Sequence, residues 1–182
     1  MSDRVLGALL AGGRSSRFGS DKAMALLHGR RLLDRAFDQL AAHSDRVVVC
    51  GRPYPGFPFL PDRPRPDMGP LGGLNAALHH GAEHGFAAVL TSGCDVPIFP
   101  GALAETLIGG GPAILSAMPL IGYWPVGLAD DLDHFLATTG RHAIRGWAEF
   151  VDARHIDLPG LSLPNINRPE DLLALEASWR EP

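Results

Sequence analysis

The chain has 182 residues, a length that suits one domain with a sizeable core. With 46% hydrophobic and 20% charged residues, its composition excludes the disordered class. A formal net charge of -4 gives no support for nucleic-acid or anionic-membrane binding, both of which ask for a basic surface; a few local cations for a small anionic substrate stay open.

Val5 to Leu10 is a short apolar run ending in Ala11-Gly12-Gly13, which predicts a buried strand entering a glycine-rich turn. Leu33, Ala36, Phe37 and Leu40 share a helical face within 32–40. Arg46 to Cys50 carries Val47-Val48-Val49, a β-branched run suited to a buried parallel strand, and 57–61 is a weaker strand candidate. A proline-rich loop over 62–70 leads to a helix over 71–84. Ala87 to Thr91 is a second buried strand, closed by the turn Ser92-Gly93-Cys94-Asp95. A helix begins at Ala102, and strands are expected over 113–117 and 123–128. Short helices follow over 132–137 and 143–150, then a strand over 154–158. The last helix, 169–179, opens with proline and acidic residues.

Strands alternating with helices predict a three-layer α/β/α, Rossmann-like sheet, mostly parallel, and no repeat or linker divides the single domain expected over 1–182. Ligands of such sheets sit beyond the carboxyl ends of the strands, where the turns after Leu10 and Thr91 both open. The start of the chain has no signal-peptide pattern and no apolar run is long enough to span a bilayer, so a soluble, cytoplasmic protein is expected. Cys50 and Cys94 lack metal-type spacing and read as reduced. The eight histidines lack ligand-like clustering; His79 and His80, being adjacent, face apart on a helix.

The richest segment is Leu10-Ala11-Gly12-Gly13-Arg14-Ser15-Ser16-Arg17-Phe18-Gly19-Ser20-Asp21-Lys22. Gly12 and Gly13 leave backbone amides open to a phosphate or base. Arg14, Arg17 and Lys22 add cations, and Ser15 and Ser16 add hydroxyl donors. Such a set suits a triphosphate, whose charge must be offset before another anion attacks it. Neither the P-loop spacing nor the dinucleotide fingerprint is present. The plain alternative is a surface turn with solvated charges.

This string resembles the L-A-G-G-x-S-x-R-[MF]-G-x-D-K signature of nucleotidyltransferases of molybdenum cofactor synthesis, and every fixed position is present. It is most similar to the molybdenum cofactor guanylyltransferase family, often called MobA. The resemblance implies that Leu10, Ala11, Gly12 and Gly13 contact guanine and ribose, and that Arg17 and Lys22 bind phosphates.

Three further segments agree with it. Asp62 precedes Gly69-Pro70-Leu71-Gly72-Gly73 as an aspartate precedes G-P-L-[AG]-G in the family, where it contacts the nucleotide. The glycine turn would bring a helix N-terminus, with its free amides, toward the ligand. In Gly93-Cys94-Asp95-Val96-Pro97 the carboxylate of Asp95 follows a buried strand and should point into the crevice as a hard oxygen ligand for Mg²⁺, a role the resemblance also assigns; an Asx turn is the alternative. Pro164-Asn165-Ile166-Asn167-Arg168-Pro169-Glu170-Asp171-Leu172 resembles N-[IV]-N-T-P-E-[DE]-L. Asn165 and Asn167 alternate in a strand-like stretch, so both could face the pterin acceptor from one side. Arg168 replaces the usual threonine, leaving the helix cap open. Arg141 and Arg145 are spaced to share a helix face and to bind the acceptor phosphate, with a solvated basic face as the alternative.

Two departures stand out. Cys50, placed with the nucleotide-binding residues, stands where the family often has an asparagine contacting guanine. The stretch 118–125 is apolar where relatives are usually charged.

The resemblance implies transfer of GMP from GTP to the terminal phosphate of molybdenum-bearing molybdopterin, with pyrophosphate released. Arg17, Lys22 and Asp95 would act through charge and Mg²⁺, not as nucleophile or base. Implied partners are the two substrates, with transient contacts to pterin-delivering or molybdoenzyme-maturation proteins. The rival readings are a cytidylyltransferase or sugar-phosphate nucleotidyltransferase, and a non-catalytic GTP-binding regulator.

Overall fold

The computed structural model describes residues 4–12, 18, 21–97, 99–160 and 163–178. Gly13, Arg14, Ser15, Ser16 and Arg17, singled out above, lie outside the described residues.

In chain order the elements are β1 (Val5–Leu10), a 3-10 turn (Lys22–Met24), β2 (Leu26–Leu27), β3 (Arg30–Arg31), α1 (Leu32–Ala41), β4 (Arg46–Cys50), β5 (Phe59–Leu60), α2 (Pro70–Glu83) and β6 (Ala88–Gly93). There follow α3 (Gly101–Leu107), β7 (Ala113–Leu115), β8 (Met118–Pro125), a second 3-10 turn (Val126–Leu128), α4 (Ala129–Thr139), α5 (Ile144–Phe150), β9 (Arg154–Ile156) and α6 (Pro169–Ser178). A seven-stranded sheet has the order β5-β4-β1-β6-β8-β7-β9. β1 lies parallel between β4 and β6, and β8 runs antiparallel to both of its neighbours.

The continuous apolar run of β1 has a physical cause. Successive side chains of a strand point to opposite faces, and here both faces are covered. Leu6, Ala8 and Leu10 enter one core with Leu71, Leu74 and Leu78 of α2, Leu132 and Phe135 of α4, and Trp147 of α5. Val5 and Leu9 enter the opposite core with Leu33, Ala36 and Leu40 of α1 and Leu103 and Leu107 of α3. Helices α1 and α3 thus cover one face and α2, α4 and α5 the other, giving the three layers. Each fully buried leucine contributes about 1.5–3 kcal/mol of burial.

Two elements differ from the sequence reading. The strand expected over 123–128 is β8, which begins at Met118 and gives way to a 3-10 turn at Val126. The apolar 118–125 stretch is therefore a sheet strand between β6 and β7. The two-residue hairpin β2–β3 was not foreseen. It turns through His28 and Gly29, both at positive φ, and α6 closes over it: Leu172 and Leu175 pack on a cluster of Phe18, Leu27, Leu32 and Ile166. Strands of that length carry too little periodicity to be read. Among the described residues, no helix is long and apolar enough to cross a membrane.

Candidate active site

The carboxyl ends of β1, β4 and β6 open on a cavity of about 360 Å³, at the edge where a parallel sheet presents its ligand. Its wall includes Leu10, Ala11, Gly12, Lys22, Cys50, Asp62, Asp95 and Asn167. These come from segments far apart in the chain, so the fold assembles most of the residues singled out by sequence.

The floor exists because two glycines meet. A Cβ on Gly51, at φ +95, would lie 2.5 Å from the Cα of Gly12, so the chains leaving β1 and β4 touch backbone to backbone with no side chain between. Beside them, the N-terminus of α2 reaches the wall through Gly69, Pro70 and Gly73, with no side chain capping the helix. The partial positive charge of that helix end therefore lies at the cavity wall.

Lys22 and Asp95 stand across the opening. The Lys22 Nζ donates to the backbone oxygen of Ile166 at 2.7 Å and to Asp95 Oδ2 at 3.4 Å. Their side chains are only 12% and 18% exposed. Asp95 Oδ1 folds back over Gly93 so closely that a Cβ there would stand 2.4 Å from it, which explains a glycine at the end of β6. Ile166 is held from a second side, its N–H donating to the backbone oxygen of Asp95 at 3.3 Å. Just before Lys22, Asp21 caps the 3-10 turn by accepting from Ala23 N–H, and it accepts the Tyr54 hydroxyl at 3.1 Å on each carboxylate oxygen.

Asp62 lies deeper. Its Oδ1 is buried without a hydrogen-bond partner, and burial raises its carboxyl above the usual range; a hydrogen bond from Met68 opposes the rise and Asp67 adds to it. Cys50 is fully buried and its thiol is pushed strongly up, by burial first and then by Asp62. Cys94, also on the wall, is pushed up to about 12 by burial and then by Asp95. Both are protonated thiols, not nucleophiles.

The two asparagines do not share a face. Asn167 lines the first cavity, whereas Asn165 lines a second of about 480 Å³ beside Leu115, Met118 and Ile156. Residues 163–167 form no strand, so the two-residue alternation behind the expectation does not apply. At the head of α6, Asp171 reaches back to accept from the backbone N–H of Asn167 and Arg168, each at 2.8 Å, which is the half of a capping box that needs no threonine at 168. Those two bonds hold its carboxyl below the usual range.

Arg141 and Arg145 also part company. α5 begins at Ile144, so Arg141 precedes the helix and the expected common face does not form. Arg145 donates to the backbone oxygen of Ser116 at 2.9 Å, and neither arginine lines either cavity. The segment around Arg141 nevertheless borders the rim, since a Cβ on Gly69 would stand 3.5 Å from the backbone oxygen of His142.

Sequence reasoning missed Tyr54, Gly51 and Leu120 as wall residues. Tyr54 and Gly51 follow β4 at its carboxyl end, which the rule for parallel sheets would have flagged. Leu120 was hidden by the misplaced start of β8.

His79, Asp130 and Asp133 offer ligand atoms within 4.8 Å of one another, but on α2 and α4 and outside the cavity wall. Asp133 is already engaged by His79 at 2.9 Å, Asn75 at 2.7 Å and Arg63 at 3.7 Å. That cluster fastens the two helices and the loop after Asp62. In the cavity itself the carboxylate of Asp95 is a hard, partly exposed oxygen donor, which fits a divalent cation that completes its shell with phosphate oxygens and water.

Fold and site together define a nucleotidyltransferase. A family model described as a MobA-like NTP transferase domain matches residues 7–150, and the chain belongs to that family. A molybdenum cofactor guanylyltransferase of Sinorhizobium fredii is 34% identical, the match covering 94% of this chain and 90% of that one. The enzyme of the same name from Acidiphilium cryptum is also 34% identical, over 93% and 92% of the two chains. Among solved structures, molybdopterin-guanine dinucleotide biosynthesis protein A from Archaeoglobus fulgidus has the same fold. It superposes with a TM-score of 0.75 at 23% identity, covering 94% of this chain and 97% of that one.

Proposed function

We propose that the chain transfers GMP from GTP to the terminal phosphate of molybdopterin carrying molybdenum, releasing pyrophosphate. The relatives' names support the substrates, and one observation carries the assignment of the nucleotide: the Asp62 carboxylate lines the cavity and has an oxygen, Oδ1, without a hydrogen-bond partner. A carboxylate there needs N–H donors. Guanine offers two adjacent ones on one edge, the N1–H and the exocyclic amine, while cytosine, uracil and adenine do not. The mainchain of Leu10, Ala11, Gly12 and Gly13, with Cys50 and Asp62, forms the base and ribose subsite in this reading.

In the reaction, an oxygen of the acceptor's terminal phosphate attacks the α-phosphorus of GTP. The new P–O–P bond forms as the bond to the pyrophosphate oxygen breaks. The acceptor phosphate is already ionised near neutral pH, so the chain need supply no base. Lys22, with Arg17, offsets negative charge on the triphosphate, and the positive end of the α2 dipole adds to that field. The described wall holds three carboxylates, Asp21, Asp62 and Asp95, against the one ammonium of Lys22. Such a wall favours a divalent cation at Asp95, and Mg²⁺ would supply Lewis-acid charge neutralisation there. Asn167 and Asn165, each lining a cavity, mark the side from which the acceptor enters, with Arg141 and Arg145 outside as phosphate-attracting charges.

The test is pyrophosphate release from each nucleoside triphosphate with the molybdopterin acceptor, alongside calorimetric affinities. Release with GTP and tighter binding of GTP than CTP are expected. Equal or tighter CTP binding would remove the guanylyl assignment and leave the nucleotidyltransferase class standing.

A further inference from the structure

We infer that Tyr54 is a positioning residue for Lys22, acting through Asp21. The inference rests on the reading of Lys22 as the triphosphate's cation.

Lys22 sits in a single 3-10 turn, a unit too short to hold its own place. Its position must come from outside the turn. Downstream, the ammonium is gripped by the Ile166 carbonyl and Asp95. On the other side, among the described residues, the anchor is Asp21. The Asp21 carboxylate caps the turn at Ala23 N–H, 3.2 Å, and takes the Tyr54 hydroxyl at 3.1 Å on both oxygens. Arg52 adds an ion pair to Oδ2 at 3.3 Å, but its side chain is 42% exposed and water screens it.

Tyr54 is the firmer partner. It is buried and its ring joins the core cluster on the α1 face. Its loop is pinned where Phe57 N–H donates to the Tyr54 carbonyl and the Phe57 ring packs edge-on against Phe37 of α1 at 4.9 Å. Burial, then the Asp21 charge, keeps the phenol protonated, so it donates and the carboxylate accepts. The hydroxyl therefore ties the Lys22 turn to the body of the domain across the mouth of the cavity. Without it, Asp21 keeps the cap but loses its buried reference, and the turn that carries Lys22 holds the ammonium less firmly against the triphosphate.

The test is Tyr54→Phe, which keeps the ring and removes one oxygen; thermal melts establish that it folds. GTP affinity with Mg²⁺ and kcat for transfer should each fall about tenfold, the loss typical of a hydrogen bond to a charged group. Guanosine affinity, which needs no phosphate cation, should not change. In a Lys22→Ala background the same Tyr54→Phe change should cost nothing further, because nothing remains to be positioned. Equal loss of GTP and guanosine affinity, or an undiminished loss in the Lys22→Ala background, would show a merely structural wall residue and overturn the inference. So would wild-type behaviour of Tyr54→Phe. A silent Lys22→Ala single variant overturns the reading of Lys22 itself, and is detected without any change at Tyr54.

Discussion

The Lys22 ammonium and the Asp95 carboxylate face each other at 3.4 Å across the mouth of the cavity, one from the turn after β1 and the other from the end of β6. Seventy-three positions separate them in the chain, and the fold brings them together beyond the carboxyl ends of the paired strands β1 and β6. Each group holds the other in place. In the proposed reaction both turn toward the triphosphate.

Removing the ammonium tests that arrangement. Lys22→Ala should lower kcat/KM by roughly 10²-fold or more, since a lost charge-stabilising donor typically costs about 3–4 kcal/mol. Steady-state kinetics with circular dichroism on the same sample are the measurement. Near-normal turnover in a folded variant would take Lys22 out of the site.

Asp62 should give a pH signature. Burial raises its carboxyl, so the folded state disfavours the charged form and binds its proton more tightly than the unfolded chain does. Stability attributable to Asp62 therefore falls as pH rises from the ordinary aspartate range through the raised value. Asp62→Asn removes that cost, and its Tm at neutral pH should exceed that of wild type. The gain should vanish in acid. Guanosine affinity should move the other way. It should weaken as pH falls and Asp62 is protonated, and Asp62→Asn should be weak at every pH. Melts and guanosine titrations from acid to neutral pH check both; a pH-independent wild-type affinity would remove Asp62 from base recognition.

What the sequence allowed and what it hid divide along physical lines. β1 and β4 were legible because burial on both faces writes a run of apolar residues, and α2 because Leu74, Ala77 and Leu78 mark its inward face. Lys22, Asp62 and Asp95 were legible because they sit in fixed-spacing motifs beside those elements. Asn165 and Asn167 were misread because periodicity was applied to a stretch that forms no strand. Arg141 and Arg145 were misread because the helix starts later than their spacing assumed. Tyr54 was overlooked although it follows the carboxyl end of β4, because nothing in its Pro- and Gly-rich loop records that its hydroxyl reaches Asp21.

The two asparagines should separate in kinetics. Asn167 faces the nucleotide cavity and Asn165 the second one. Asn165→Ala should raise the acceptor KM by about tenfold, the cost of one or so unmade hydrogen bonds, and leave GTP affinity unchanged. Asn167→Ala should affect both substrates. Matching profiles for the two variants would return both residues to a single subsite.

Asp95 should act through the metal and not as a base. Its carboxylate lies just past a strand's carboxyl end, partly exposed, on a wall that, among the described residues, is richer in carboxylates than in ammonium groups. A dication is the natural partner of such an oxygen beside a triphosphate. The acceptor phosphate carries no proton that must be removed at neutral pH, so a base there has nothing to accept. Asp95→Asn keeps the shape and removes the charge. Transfer should be nearly abolished and the Mg²⁺ midpoint of the residual rate should move to higher concentration. GTP affinity without metal should hold or improve, because one negative charge has left the cavity and Lys22 has lost a competing partner. The measurement is a Mg²⁺ titration of initial rates for both proteins, with metal-free GTP affinities beside it. A variant that kept the wild-type Mg²⁺ midpoint and lost only rate would show that Asp95 is not the ligand. Asp62, the other wall carboxylate with a free oxygen, would then be next to test.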